Sequence, residues 1–286
     1  MYKRILLAYD GSESGQKALL DCHEIAQWSQ AELTLIAVIG PFVWPHPFDM
    51  QYQDRLRIGP TLENMHWLGT DIYGRDMVAR VITGLQISLA VGFIATMVSL
   101  VIGVAWGAIA GFAGGRVDQF MMRIVDVLYA VPFIFFVILV TVVFGRSIFL
   151  IFLAIGAVEW MTMARIVRGQ TLALKQKEFV EAARAAGVKP MGLIVRHILP
   201  NLLGPVAVYV TLTMPVVILQ ESFLSFIGLG VNEPLTSLGV LIADGADMME
   251  DKPWMLIAPA VTMSVTLLCL NFIGDGLRDA LDPRHA

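Results

Sequence analysis

The chain has 286 residues, of which 57% are hydrophobic and only 15% are charged, and its mean hydropathy is +0.70. An ordinary soluble domain is about one quarter charged, so these values exclude a typical soluble globular protein and indicate a polytopic membrane protein. The net charge of −4 excludes a general affinity for nucleic acid. Cys22 and Cys269 have no ligand spacing and predict neither a disulfide framework nor a metal site.

The first 40 residues have the pattern of a short β-α-β unit. Residues 3–10 and 33–39 are apolar runs typical of strands, and residues 13–28 carry apolar side chains at helical spacing. The stretch KRILLAYDGSESGQKAL resembles the start of universal stress proteins, a cytosolic nucleotide-binding α/β family. Asp10 stands where that family has an acidic residue, but the Gly-rich phosphate loop of its nucleotide-binding members is missing. We therefore predict no nucleotide site in residues 1–40.

Five later apolar segments are long enough to cross a bilayer, which takes about 20 residues. The basic side chains between the third and fourth segments place that loop in the cytoplasm. Residues 41–85, before the first segment, are predicted to be extracytoplasmic or interfacial. The prolines at positions 132, 205, 215 and 259 should bend their spans. The five segments lie near residues 86–112, 121–144, 147–167, 202–222 and 254–275.

The loop at residues 168–201 is polar and basic although it lies between two apolar segments. Phe179, Ala182, Ala183 and Ala186 fall on one face of a helix that Gly187 should end. The sequence then favours a second short helix that begins at Pro190 and is blocked at Pro200. Three interpretations of this helical pair are open: an amphipathic loop on anionic lipid, a DNA-reading helix-turn-helix, and a docking element for a soluble partner.

The stretch EAARAAGVKPMGLIVRHILPN resembles the EAA loop of the permease subunits of bacterial ABC importers, which favours the docking interpretation. The match covers the family's Glu-Ala-Ala, Gly and Leu-Pro positions, and a His stands where the broad pattern has Ile. In that family the loop is the coupling helix, which inserts into a groove of a cytoplasmic ATPase. The resemblance implies these docking residues: Glu178, Phe179, Glu181, Ala182, Ala183, Gly187, Pro190, His197 and Pro200.

The resemblance extends over about residues 41–286 and is closest to the C-type subunit of oligopeptide importers, within the dipeptide, oligopeptide and nickel permeases. HWLGTDIYGRDMVARVITGLQISLAVG and ESFLSFIGLGVNEPLTSLGVLIADGA carry it beyond the loop. It implies an all-α multi-pass protein of the bacterial inner membrane with the type I ABC importer permease fold over residues 86–286. The implied partners are a second homologous permease subunit in a heterodimer, two ATPase subunits, an extracytoplasmic substrate-binding protein, a peptide and membrane lipid, but no nucleic acid.

The energy source is expected to lie in a partner. The sequence contains no G-x-x-x-x-G-K-[ST] phosphate loop and no evident catalytic triad or metal cluster. We therefore predict no catalytic, cofactor or metal site here, and we expect ATP to bind to the partner ATPases.

Three acids lie in or near the predicted spans, where a charge is costly unless it faces protein or water. Asp126 is expected to pair with Arg123, three residues before it on the same helix. Glu159 is the better candidate for lining a translocation path, with Asp126 as the second. Glu221 is expected to cap a helix or pair near the outer interface.

Small and turn-forming residues carry two further predictions. Gly103, Gly107 and Gly111 recur every four residues, which is typical of close helix packing in membranes, with pore lining as the alternative. In LGTDIYGRD, Thr70 or Asp71 should cap a short interfacial helix, and this segment is a candidate contact for the binding protein.

Two alternatives come from other functional classes. An ion-coupled secondary transporter or channel would use Glu159 and Asp126, and inverted repeats would support it, but none is evident. A nucleotide-responsive stress protein anchored to the membrane would bind ATP through residues 1–40.

Finally, the first span that the permease family has before LGTD is replaced here by the stress-protein-like piece. We therefore expect this chain, as a product of gene rearrangement, to assemble poorly with its partners.

Overall fold

The computed structural model describes residues 35–145 and 147–281. These residues form helices and turns, with a lone antiparallel bridge between Thr70 and Asp76, so the all-α fold class is confirmed. The predicted strand at residues 3–10 and helix at residues 13–28 lie outside the described residues.

The helices are long because most of the chain is continuously apolar. Two short 3-10 turns, Gln53–Arg55 and Glu63–Met65, precede the first long helix. The helices in chain order are α1 (Met77–Ala113), α2 (Gly115–Tyr129), α3 (Phe133–Phe144), α4 (Ile148–Leu174), α5 (Glu178–Ala185), α6 (Pro190–Leu193), α7 (Leu199–Phe226), α8 (Leu238–Asp247) and α9 (Trp254–Leu281).

The predicted strand at residues 33–39 is wrong over its described part, because residues 35–43 are helical. A short apolar run does not distinguish a strand from a helix by itself. Packing decides here: Ala37 is buried, and its carbonyl accepts a hydrogen bond of 2.6 Å from Gln86 Nε2 of α1. Gly40 lets the helical segment approach Ile82 of the same helix closely.

Four continuous helical stretches are long and apolar enough to span a membrane, and the bent pair α2–α3 provides a fifth candidate. The five predicted spans are therefore found among the described residues. Their boundaries differ: the first begins at Met77, not near residue 86, and the fourth begins at Pro190, not near residue 202.

The second predicted span, residues 121–144, is broken. Helices α2 and α3 meet at an angle of 82°. Pro132 lies in the break and has no N–H to continue the helical ladder, and the chain turns there through a hydrogen bond from Val131 N to the Leu128 carbonyl.

The described residues fall into two compact units. The first contains residues 35–87 and 234–281, and the second is Ser88–Glu233. Within the first unit, α8 lies close against α9 at Gly245, where an added Cβ would lie 2.6 Å from the Met255 carbonyl oxygen. This unit carries the LGTDIYGRD segment.

The second unit holds the predicted coupling loop. Its apolar core joins α1, α4, α5 and the start of α7. The glycine stripe of α1 lies against α4: an added Cβ would come within 2.9 Å of the Trp160 carbonyl oxygen at Gly103, and within 2.8 Å of the Arg168 carbonyl oxygen at Gly111. At Gly107 the Arg168 backbone nitrogen would lie at 2.9 Å. A side chain at these positions would separate the two helices.

Candidate functional site

Helix α5 is attached to the second unit by one apolar side chain. Val180 is fully buried and packs in the core that contains Ile198 and Leu202. The side chains around it point outward: Phe179 is 41% exposed, and Ala182 is exposed as well. The helix therefore has one anchored side and one free side with small residues.

The turn after α5 has the geometry of a Schellman motif. Val188 N donates to the Ala183 carbonyl at 3.2 Å, and Gly187 N donates to the Arg184 carbonyl at 3.0 Å. Gly187 has φ +83°, in the left-handed region that glycine adopts without steric cost. The helix end predicted at Gly187 is thus confirmed, because the turn depends only on local chemistry.

The second helix begins as predicted but does not end as predicted. Pro190 is in the first turn of α6. The expected block at Pro200 is wrong, since the helical path continues from Pro190 to Phe226. A π-helical turn at Ile194–Ile198 precedes the proline, and Leu199 N donates to the Ile194 carbonyl, five residues back. The wider turn accommodates the proline, so the predicted coupling loop is continuous with a candidate membrane span.

The loop helices present a mixed surface. Ile194 and Ile198 are buried, whereas Met191 and Val195 are exposed and His197 is half-buried. The remaining predicted docking residues, Glu178, Glu181, Gly187, Pro190 and Pro200, are exposed. The structure therefore brings most of the predicted docking residues to an accessible surface.

Two polar contacts fasten the base of the loop. Arg168 of α4 binds the carboxylate of Asp118 in α2 through both Nε and an Nη atom, the latter at 2.6 Å. Lys175 Nζ donates to the Gly111 carbonyl at 2.9 Å, at the end of α1. Asp118 and Val180 were not predicted from the sequence. The available signals were an acid in the first turn of α2, and a lone Val within the charged helix α5.

The acids in the spans have partners on other helices. Asp126 pairs with Arg165 of α4 at 2.9 Å, so the predicted pair with Arg123 is wrong. Because α2 lies against α4, a side chain from α4 is closer than one from the same helix. Glu159 Oε1 accepts a hydrogen bond of 2.7 Å from Gln220 Nε2 of α7.

Glu221, the third acid, is fully buried, and Ser225 Oγ donates to it at 2.7 Å, one turn along α7. A carboxylate without contact with solvent requires polar neighbours. For Glu221, one such neighbour is Ser225 on the next turn of the same helix.

The LGTDIYGRD segment of the first unit contains buried charged side chains. The carboxylate of Asp76 is fully buried; it accepts hydrogen bonds from Trp44 Nε1 at 2.8 Å and Ala79 N at 2.9 Å, and it lies 2.8 Å from His66 Nδ1. Asp76 therefore caps α1, a role that its position directly before the apolar run indicates.

Asp71 has a different role from the predicted helix cap. Its side chain accepts hydrogen bonds from the backbone nitrogens of Tyr73 and Arg75, and from Arg75 Nε at 2.6 Å. Arg80, also buried, lies 3.5 Å from the same carboxylate. Thr70 accepts from Ile58 N. The prediction of a capped interfacial helix is wrong here, because these bonds form a tight turn.

His46, His66 and Asp76 place ligand-type atoms within 4.8 Å of one another. The two imidazole rings stack, with centroids 4.5 Å apart. Both ring nitrogens of His46 already have partners in Tyr52 Oη and the Asn64 carbonyl. An Arg55 nitrogen lies 3.4 Å from His66 Nε2 and would repel a metal cation. This chemistry favours a hydrogen-bonded network over a metal site.

The comparisons with known proteins cover nearly the whole chain. The family described as "Binding-protein-dependent transport system inner membrane component" matches residues 103–286, and the universal stress protein family matches residues 1–61. The latter match agrees with the resemblance found in the first residues.

Several permeases are similar in sequence. The oligopeptide transport system permease protein OppC of Haemophilus influenzae is 51% identical over 254 residues, which cover 89% of this chain and 82% of OppC. OppC of Escherichia coli K12 is 51% identical over 252 residues, covering 88% of this chain and 83% of OppC. The dipeptide transport system permease protein DppC of Bacillus subtilis is 44% identical over 253 residues, covering 88% and 78% respectively.

A solved structure shares the fold. A chain of the MetNI methionine ABC transporter in an inward-facing conformation superposes with a TM-score of 0.60 at 19% identity. The match covers 77% of this chain and 99% of the other. At this identity the likeness concerns the fold alone, and it agrees with the predicted type I importer architecture.

Proposed function

Because this chain belongs to the family of binding-protein-dependent transport system inner membrane components, we propose that it is the transmembrane permease subunit of an ATP-driven importer of oligopeptides or dipeptides. The observation that carries the proposal is the 51% identity to an oligopeptide permease over 89% of the chain. The chain is a multi-pass inner-membrane protein and not an enzyme. ATP hydrolysis takes place on separate subunits. Membership in this family favours an ATP-driven importer over the ion-coupled transporter.

The coupling loop supplies the mechanical connection to those subunits. Its exposed side, with Phe179 and Ala182, suits insertion into a groove of an ATPase, because small side chains permit close approach. Its buried side, through Val180, is fixed to the core. Since α6 runs through the π-helical turn into α7, a displacement of the loop is passed directly to a membrane span.

Three kinds of partner complete the proposed transporter. A second, homologous permease forms a heterodimer with this chain, and the pathway lies at their interface. Two cytoplasmic ATPases bind below, one at each coupling loop, and an extracytoplasmic binding protein delivers the peptide. ATP binding draws the ATPases together and favours the outward-open state, because the loops contact the ATPases differently in the two states.

Glu159 is the proposed polar side chain of the translocation path. It is half-buried in the middle of α4 and shares a hydrogen bond with Gln220 of α7. A carboxylate at this depth is costly unless it faces protein or water. Asp126, the second candidate, is engaged by Arg165, which lies nearer than Glu159 to the coupling-loop end of α4.

The docking proposal is tested by site-specific crosslinking in intact cells. With Cys22 and Cys269 replaced by Ala, Ala182→Cys carries a photo-activated crosslinker, and Met249→Cys serves as the control because Met249 is 54% exposed but lies outside the loop. We expect Ala182→Cys to crosslink to an ATP-binding subunit and Met249→Cys to give no such product. Peptide uptake without any crosslink from position 182 would overturn the proposal.

A further inference from the structure

The second unit contains a cavity lined by four arginines, and Asp126 is the lining residue that it shares with the proposed translocation path. It has a volume of about 800 Å³ and opens between α2 and α4. The residues that line it are Arg116, Gln119, Phe120, Met122, Arg123, Asp126, Arg165 and Arg168.

The cavity has an excess of positive charge. Of its four arginines, Arg165 pairs with Asp126 and Arg168 pairs with Asp118. Arg116 and Arg123 are exposed, and neither has an acidic partner among the described residues. Two guanidinium groups therefore remain available, and their forked donors match the oxygens of a phosphate group.

Apolar side chains alternate with these two arginines along α2. Arg116, Phe120, Arg123 and Val127 follow one another at spacings of four, three and four residues, so they share one face of the helix. Phe120 is 68% exposed and Val127 is 62% exposed. A ligand that fits this stripe needs both an anionic group and apolar chains.

We propose that this cavity binds the headgroup of an anionic phospholipid from the cytoplasmic leaflet, with Arg116 and Arg123 on the phosphate and Phe120 against the acyl chains. The proposal takes one element from the proposed function, namely that the coupling loop next to α4 faces the cytoplasm. Basic pockets between membrane helices on that side are suited to acidic lipid headgroups. A free phosphate shares the anionic chemistry but leaves the apolar face of α2 unused.

The test measures lipid retention by the full chain and does not depend on transport. The purified chain is reconstituted in nanodiscs of phosphatidylcholine and phosphatidylglycerol, extracted gently, and its bound lipids are counted by native mass spectrometry. We expect the wild type to retain phosphatidylglycerol over phosphatidylcholine. Arg116→Gln/Arg123→Gln should bind phosphatidylglycerol about thirtyfold more weakly, because both phosphate contacts are lost.

Two further variants control for charge and folding. Arg184→Gln/Arg278→Gln removes two exposed arginines on the same predicted side but outside the cavity, and it should retain phosphatidylglycerol like the wild type. Arg116→Lys/Arg123→Lys keeps the charge but lacks the forked donors, so it should retain more phosphatidylglycerol than the Gln double variant and less than the wild type. Equal retention by wild type and the Gln double variant, or an equal loss in the Arg184/Arg278 control, would overturn the proposal.

A competition experiment identifies the source of the phosphate. Short-chain phosphatidylglycerol should displace the bound lipid, whereas inorganic phosphate at the same concentration should not. Equal displacement by inorganic phosphate would mean that the apolar face makes no contribution, and the lipid assignment would be wrong. Failure of crosslinking at position 182 would leave these lipid results unchanged, so the two proposals fail separately.

Discussion

The polar cluster of Asp71, Asp76 and Arg80 and the coupling loop differ in the kind of side chain that they bury. In the polar cluster, charged side chains such as Asp71, Asp76 and Arg80 are buried and held by hydrogen bonds and ion pairs. In helix α5 of the coupling loop the charged side chains are exposed, and the buried anchor of that helix is Val180. A buried charge needs partners at fixed positions, whereas an apolar anchor needs only space and contact. The cluster is therefore held rigidly, whereas α5 keeps an exposed side, which is the surface proposed for docking.

Replacing Asp76 tests the rigidity of the polar cluster, and we expect it to have the largest effect on the free energy of unfolding. Asp76→Ala leaves Trp44, His66 and the Ala79 amide without their buried partner. We expect the free energy of unfolding to fall by about 3–5 kcal/mol, measured by denaturant titration of the purified chain in detergent. Asp54→Ala is the control, because Asp54 is 76% exposed in its pair with Arg55, and it should change stability by less than about 0.5 kcal/mol. Similar losses for both variants would contradict this account.

Two glycines, one in each region, test the same difference through the cost of an added side chain. Gly69 and Gly187 both have positive φ, but an added Cβ at Gly69 would lie 2.5 Å from the Ile58 carbonyl oxygen and 2.9 Å from Trp254 Nε1. At Gly187 no atom beyond the two neighbouring residues lies within 4 Å of that position. Gly69→Ala should cost about 2–5 kcal/mol through backbone strain and overpacking together, and Gly187→Ala about 1–2 kcal/mol through backbone strain alone. The same denaturant titration compares them, and equal costs would show that packing around Gly69 is not rigid.

The features that the sequence predicted correctly depend on local chemistry or on long apolar runs. The helix end at Gly187 needs only a left-handed residue and nearby carbonyls, and the spans need only length and hydropathy. The errors depend on partners distant in the sequence. Residues 35–39 are helical because they pack on α1, and Asp126 pairs with Arg165, 39 residues away.

The continuation through Pro200 escaped prediction for a different reason. A proline removes one backbone donor, and the usual expectation is that a helix stops or bends there. A π-helical turn shifts the hydrogen-bond pattern before the proline, and sequence periodicity gives no sign of it. The consequence matters for the proposed coupling role, because a broken helix would not pass motion from the loop to α7.

The prediction with the smallest expected effect compares the buried Val180 of helix α5 with its exposed neighbour Phe179. Val180→Ala removes buried methyl groups and should lower the free energy of unfolding by about 2 kcal/mol. Phe179→Ala, its neighbour at 41% exposure, should leave unfolding nearly unchanged and instead reduce the amount of ATPase that co-purifies with the chain. Because the two residues are adjacent, local backbone effects are shared, and only the direction of the side chain differs. If Phe179→Ala destabilised the chain as much as Val180→Ala while keeping its ATPase, the loop would be a structural element and not a docking surface.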